Sequence, residues 1–394
     1  MCSKVLLLIL CAAAGLAQSP GPAQPPAPGR GRGGGRGGPA VVSPQIESDG
    51  RVTFRAYAPQ ASAVTVTGDL SQGLVAAEGA GEQPQAPAVT MTKGADGVWT
   101  GTTIRPIRPG AWRYVFNVDG VTTVDSRNVN VSPNQTQVQS VLYVAGDFSE
   151  TRDVPHGSVS SVRYVAKTLG NARREMYVYT PPGYEKSTMS YPVLYLIHGG
   201  GDTAISWGTV GRANDILDNL IAEKKANPMI IVMPSGWTPS GGQVMTSDAT
   251  KDPFTKEMIE DIIPFVQSRY RTLANPENRA LSGLSMGGIQ TLNIGLHHLG
   301  TFRYVAVMSS GWISEDDRQF FYKSEAAQIP KYNSQLKLFW WGWGQTDIAR
   351  VNGLAVIDNF KSEGVKIETL ETPGGHEWAN WRIFLHEVAP KLFR

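Results

Sequence analysis

Gly283-Leu284-Ser285-Met286-Gly287-Gly288 lies between the apolar end of a strand, Arg279-Ala280-Leu281, and a helical run from Met286 to His297. A G-x-S-x-G stretch between strand and helix forces a sharp turn that projects its serine from the carboxyl edge of a sheet. Gly283 and Gly287 leave room for that turn, and the helix N-terminus beside Ser285 favours developing negative charge. Outward from this point the chain alternates strands with helices. Met176–Tyr179, Pro192–Ile197, Met229–Met233, Tyr304–Met308, Leu336–Trp341 and Val365–Leu370 read as strands. The central ones are unbroken apolar runs, as for parallel strands covered on both faces. Residues 213–224, 255–270, 286–297, 351–362 and 378–393 read as helices. The expected fold over residues 158–394 is a three-layer α/β sandwich with right-handed crossovers.

A serine hydroxyl needs a base to become a nucleophile. Of the six histidines, His297 and His298 end the helix after Ser285 and are expected to cap it. His386 lies within the last helix, and His156 precedes the domain. His376, in Pro373-Gly374-Gly375-His376-Glu377-Trp378, follows a strand on a glycine-rich loop and is the best base. An orienting carboxylate must fix its tautomer, and in α/β-hydrolases the chain order is serine, acid, histidine. Asp347, directly after the Leu336–Trp341 strand, fits; Asp316 and Asp317 are its rivals, and Glu377 is too close in sequence to reach the same ring. His198-Gly199-Gly200-Gly201 follows an apolar strand and supplies small residues whose N–H groups can face a carbonyl oxygen. The backbone N–H groups of Gly200 and Met286 are assigned to an oxyanion hole, with Gly201 as the substitute for Gly200 and His198 as a structural residue. Trp207, Trp237 and Trp378 are candidates to stack on a substrate ring, with core packing as the alternative.

These residues, together with Tyr179-Thr-Pro-Pro-Gly-Tyr184, Tyr191-Pro-Val-Leu-Tyr-Leu-Ile-His-Gly-Gly200, Ile262-Ile-Pro-Phe265 and Leu281–Gly288, resemble the esterase D / carbohydrate esterase family 1 group. That group includes feruloyl esterases, acetylxylan esterases, formylglutathione hydrolases, mycolyltransferases and siderophore esterases. The resemblance implies an α/β-hydrolase fold, a Ser285–His376–Asp347 triad, ester hydrolysis through an acyl-enzyme, and neither metal nor organic cofactor. It implies an acylated polysaccharide or oligosaccharide substrate, with ferulate on xylan the leading acyl group. Acetylxylan, acyl transfer and non-catalytic glycan binding are the rivals. The aromatic run Trp340-Trp341-Gly342-Trp343 departs from the family pattern and is expected to bear on pocket shape.

The part before this domain has a different texture. The chain carries 36 basic and 34 acidic side chains, but residues 1–40 hold four basic residues (Lys4, Arg30, Arg32, Arg36) and no acidic one. The remainder is therefore slightly acidic, which excludes a broad basic surface for nucleic acid. Residues 1–17, with Lys4, an apolar run and small residues at Gly15 and Ala17, read as a signal peptide for export to the periplasm or medium. Both cysteines, Cys2 and Cys11, fall within it, so the exported chain is expected to lack a thiol. Residues 18–40, with six Pro and eight Gly, read as a disordered linker. Residues 41–147 change to short alternating runs: Val52–Tyr57, Ala63–Thr67, Gly97–Thr102, Ala111–Val118 with an Asp119-Gly120 turn, and Val138–Val144. They predict a small all-β, immunoglobulin-like sandwich, with Trp99, Trp112, Tyr114 and Phe116 in its core. Val52–Pro59, Val64–Asp69, Gly97–Trp99 and Arg113–Gly120 also resemble the early-set, carbohydrate-binding-module-48-like domain, which implies glycan contact.

Overall fold

Strand after strand of the α/β part is apolar at both odd and even positions, and such strands are stable only with a layer on each face. The computed structural model, which describes residues 39–75, 87–239 and 245–394, meets that demand with one eight-stranded sheet. Its strands are β1 (Ser158–Ala166), β2 (Ala172–Thr180), β3 (Val193–Ile197), β4 (Ile230–Pro234), β5 (Arg279–Leu284), β6 (Tyr304–Met308), β7 (Leu338–Gly344) and β8 (Glu368–Thr372). They run in the order β1-β2-β4-β3-β5-β6-β7-β8. The β1–β2 and β2–β4 pairs are antiparallel and the remaining pairs parallel. Side chains alternate across the pleat. In β3, Val193, Tyr195 and Ile197 join one core cluster, while Leu194 and Leu196 join the other.

Helices cover each face. α1 (Ala213–Ala222) places Ile216, Leu217 and Leu220 in the second cluster. The first cluster takes Phe254 from α2 (Pro253–Glu257), Met258 and Ile262 from the π-helical turn Met258–Ile262, and Val266 from α3 (Ile263–Arg269). It also takes Ile289 and Leu292 from α4 (Met286–His297). α5 (Glu315–Glu325) contributes Phe321 and α6 (Arg350–Ser362) contributes Val356 and Phe360 to it. α7 (Trp378–Val388) returns to the second cluster with Phe384 and Leu385. α5 is missing from the sequence reading because its charged face, Glu315-Asp316-Asp317-Arg318, buries only Phe321. The aromatic run of β7 belongs to the core: Trp340 packs edge-on against Phe384, and Trp341 lies in the opposite cluster, donating Nε1–H to Ser310 O at 3.0 Å. This corrects the expectation that the run shapes a pocket.

Two smaller antiparallel sheets precede the large one. One orders Gln45–Ile46, Val52–Tyr57, Val98–Thr102 and Thr92–Lys93; the other orders Val64–Gly68, Gly110–Val118, Val138–Val144 and Val131–Pro133. They share one apolar cluster that includes Phe54, Trp99, Trp112, Tyr114 and Phe116, all buried. The other face of the second sheet is also occupied, because Ala111 and Val141 join the core beneath α1 and α7. Residues Val41–Arg394 thus form one compact unit with distinct cores. The expected signal peptide and all but the last two residues of the expected linker lie outside the described residues. No described helix is long and apolar enough to cross a membrane.

One buried carboxyl gives the fold a pH signature. Asp252 caps α2, accepting the Phe254 N–H at 3.0 Å on Oδ1, while Oδ2 has no partner among the described residues. Burial pushes its pKa up to about 6. A carboxyl with a raised folded pKa favours the folded state while protonated, and that contribution is lost as pH rises from the ordinary carboxylate range through about 6. Asp252→Asn keeps the cap without the charge. It should match the wild type near pH 4 and exceed it by about 3 kcal/mol above pH 7, read as urea midpoints across that range. A gap that does not change with pH would refute the assignment.

Candidate active site

β5 ends at Leu284 and α4 begins at Met286, so Ser285 alone makes the turn. Its φ of 52° and ψ of −116° are sparsely populated by residues with a Cβ. The conformation is held from several sides. Ser285 N–H donates to Met308 O at 2.9 Å, Ser310 Oγ–H donates to Ser285 O at 2.6 Å, and the N–H groups of Gly288 and Ile289 donate to the same oxygen. The crossing is too tight for larger residues: a Cβ on Gly283 would lie 2.3 Å from Gly287 O, and one on Gly287 would lie 2.5 Å from His198 O.

His376 comes from the loop between β8 and α7. Its Nε2 is 2.9 Å from Ser285 Oγ, and its Nδ1 is 2.8 Å from Asp347 Oδ1. Asp347 follows β7 and is wholly buried, whereas His376 keeps 20% of its side chain exposed. Burial alone would raise the Asp347 carboxyl. The bond and charge of His376, with Ser309 and the Ala349 N–H, outweigh it and hold the group below the ordinary carboxylate range. An ionised Asp347 fixes the proton on Nδ1 and leaves Nε2 to accept from Ser285 Oγ–H. The Trp381 ring meets the imidazole edge-on at 5.1 Å, and its Nε1–H donates to Ser309 Oγ at 2.9 Å. Asn380 Nδ2–H ties down Gly375 O at 2.9 Å. The arrangement can pass a proton from serine to histidine, beside a carboxylate that stabilises the resulting cation.

The alternatives are engaged elsewhere. Asp317 accepts from Thr246 and Ser247, and Glu377 accepts from Arg108 at 3.3 Å. His297 bonds Glu325 and Ser247 O rather than the last carbonyls of α4, which corrects the expected capping role. His198 is fully buried, and burial pushes its pKa down. Its neutral ring donates Nδ1–H to Gly199 O at 2.8 Å and accepts the Gly236 N–H on Nε2 at 3.1 Å. The Asp202 N–H also donates to Gly199 O, at 3.3 Å. In a planar trans peptide the next N–H, that of Gly200, points opposite to this pinned carbonyl. Gly199 itself abuts the serine: a Cβ there would lie 3.3 Å from Ser285 Cβ.

Two of the three candidate stacking residues are corrected. Trp207 is wholly buried, donates Nε1–H to Ile197 O at 3.1 Å and meets Trp378 edge-on. Trp378 is buried between Trp207 and Trp381. Neither offers a face to a substrate. Trp237 is half-buried, with Nε1–H on Asp202 O at 2.9 Å. Sequence reading missed Ser309 and Ser310, whose only signal is their place at the end of the strand next to β5. Among the described residues no group of three or more His, Cys, Asp or Glu is placed to hold a metal ion.

A serine at a strained strand–helix turn, facing a histidine and a buried aspartate, defines the hydrolase class of site. The chain belongs to the Esterase family, whose model matches residues 167–392. The endo-1,4-beta-xylanase/feruloyl esterase of Xylanibacter ruminicola is 32% identical over 360 residues, which cover 89% of this chain and 46% of that protein. The chain thus spans less than half the length of this curated relative. A CE1 ferulic acid esterase from Anaeromyces mucronatus, solved with ferulic acid, is 23% identical with a TM-score of 0.54, over 62% of this chain and 93% of that one. The enterobactin esterase of Shigella flexneri is 17% identical with a TM-score of 0.58, over 87% and 93%. These structures share the fold.

Asp347→Asn should slow labelling of Ser285 by a fluorophosphonate about 10⁴-fold, and Ser285→Ala should abolish it. Labelling measured by mass spectrometry checks both; equal labelling of wild type and Ser285→Ala would remove Ser285 from the chemistry.

Proposed function

We propose that the chain is an exported serine carboxylic-ester hydrolase that removes acyl groups, with ferulate foremost, from xylan. The single observation that carries this reading is the continuous hydrogen-bonded line from Ser285 Oγ through His376 to Asp347. Ser285 Oγ attacks the acyl carbon as its proton passes to His376 Nε2, and the Gly200 and Met286 N–H groups receive the oxyanion. Collapse breaks the ester bond, and His376 returns the proton to the leaving sugar oxygen. Water, activated by the same histidine, then attacks the acyl-enzyme; the carboxylic acid leaves and Ser285 regains its proton. Asp347 keeps the imidazole oriented throughout. The pinned Gly199 carbonyl supports the oxyanion role of Gly200, and the start of α4 supports that of Met286.

The family and the printed name of the Xylanibacter ruminicola relative support the ester and xylan parts of the reading. The leader composition supports export, which cleavage after Ala17 in the periplasm or medium would test. The two small sheets support a carbohydrate-binding-module-48-like domain. Because Trp99, Trp112, Tyr114 and Phe116 are internal, glycan contact by this part must use other side chains.

Methyl ferulate and acetylated xylan separate the acyl classes. The expected outcome is a kcat/KM for methyl ferulate at least about tenfold above that for acetyl release, with both lost in Ser285→Ala. Preference for acetyl release would make the enzyme an acetylxylan esterase; no release from either ester would sink the hydrolase reading.

A further inference from the structure

Alternation along Gly110–Val118 sends Trp112, Tyr114 and Phe116 into the core of the N-terminal sheets. It turns Ala111 and Arg113 to the opposite face, where Ala111 joins the core of the α/β part. Arg113 Nη1 donates to Asp202 Oδ1 at 2.6 Å, and its Nε donates to Asp69 Oδ2 at 3.3 Å. Both members of the Arg113–Asp202 pair are largely buried. Burial disfavours the cation, but Asp202 and Asp69 outweigh it and hold the guanidinium above its ordinary pKa. Asp202 closes the turn at Gly199 through its own N–H. Two further bonds from the same β part reach this loop: Gln135 N–H donates to Gly201 O at 2.8 Å, and Thr203 Oγ1–H donates to Pro133 O at 3.1 Å.

We propose that Arg113 is a positioning residue for the reaction: it clamps Asp202 and thereby fixes the Gly199–Gly200 peptide that presents an oxyanion donor beside Ser285. The inference rests on the esterase reading above. On its other side the loop is held by His198 with Gly236, by Trp237 Nε1–H on Asp202 O at 2.9 Å and by Ser206 Oγ–H on Asp202 Oδ1 at 3.3 Å. The charged clamp from the N-terminal sheets adds the anchor that restricts rotation of the Gly200 N–H. A lysine lacks the planar fork that spans Asp69 and Asp202 together.

The test uses the full chain, with p-nitrophenyl acetate as a small ester that needs no polysaccharide contact. Arg113→Gln and Asp202→Asn should each lower kcat about ten- to hundredfold, with KM within about twofold and the thermal transition still cooperative. The double variant should fall no lower than the worse single, because both changes remove the charge assistance of the same bond. Arg113→Lys should recover only part of the loss. If Arg113→Gln does not fold, Asp202→Asn carries the test alone. Folded single variants within twofold of wild-type kcat, multiplicative losses in the double, or a change confined to KM would overturn the inference while leaving the esterase reading intact. If the wild type leaves this ester untouched, the same comparison is made with methyl ferulate, and a wild type that turns over neither ester would overturn both.

Discussion

Everything at the site depends on keeping a residue with a side chain in a backbone conformation that it would leave if released. Ser285 sits at positive φ, at a cost on the order of 1–3 kcal/mol. Strain of this kind persists only where neighbours over-determine it. Here the serine N–H is held by β6, and its carbonyl is held by Ser310 and the first turn of α4. The glycines at 283 and 287 let the strand, the helix and the His198 loop approach to distances that a methyl group would forbid. The hydroxyl is therefore placed by the backbone, with little left to side-chain rotation.

The same economy governs the two loops that meet it. Asp347 N–H donates to Gly344 O and Thr346 N–H to Gly374 O, so the acid loop and the base loop are stitched together before the side chains meet. His198, buried and neutral, uses both ring nitrogens to join the loop after β3 to the loop after β4. Gln290 of α4 donates to Gly236 O at 2.9 Å and closes that circuit against the helix that starts at the serine. The N-terminal sheets add a third support through Arg382 of α7, whose Nη1 donates to Ala111 O and Val210 O.

Much of this was legible because its causes are local. The G-x-S-x-G stretch needs a strand before it and a helix after it, and α4 spans the expected Met286–His297. Asp347 and His376 were legible because chain order and a loop after a strand are sequence properties. What stayed hidden is non-local. β1 is a largely exposed antiparallel strand: Ser158–Ser161 are all exposed and only Val162, Tyr164 and Ala166 are buried, so it does not look like the apolar runs beside it. Indole rings look the same in sequence whether they line a cleft or fill a core; only burial separates Trp207 and Trp378 from Trp237. Arg113 lay inside a stretch read as sandwich, and nothing local says that its partner would be Asp202, 89 positions away.

The burial gradient along the hydrogen-bonded line explains why these three groups can work as a unit. Asp347 is shut away from water, so its attraction to an imidazolium at 2.8 Å is weakly screened. An isolated carboxylate buried this way would take up a proton, but the bonds from His376 and Ala349 keep it charged. His376 is the hinge of the gradient: one nitrogen faces the dry carboxylate, while the ring retains some contact with solvent. A proton taken from the serine hydroxyl thus creates its charge next to the least screened anion of the site. The nitrogen that must release that proton is the one turned toward Ser285.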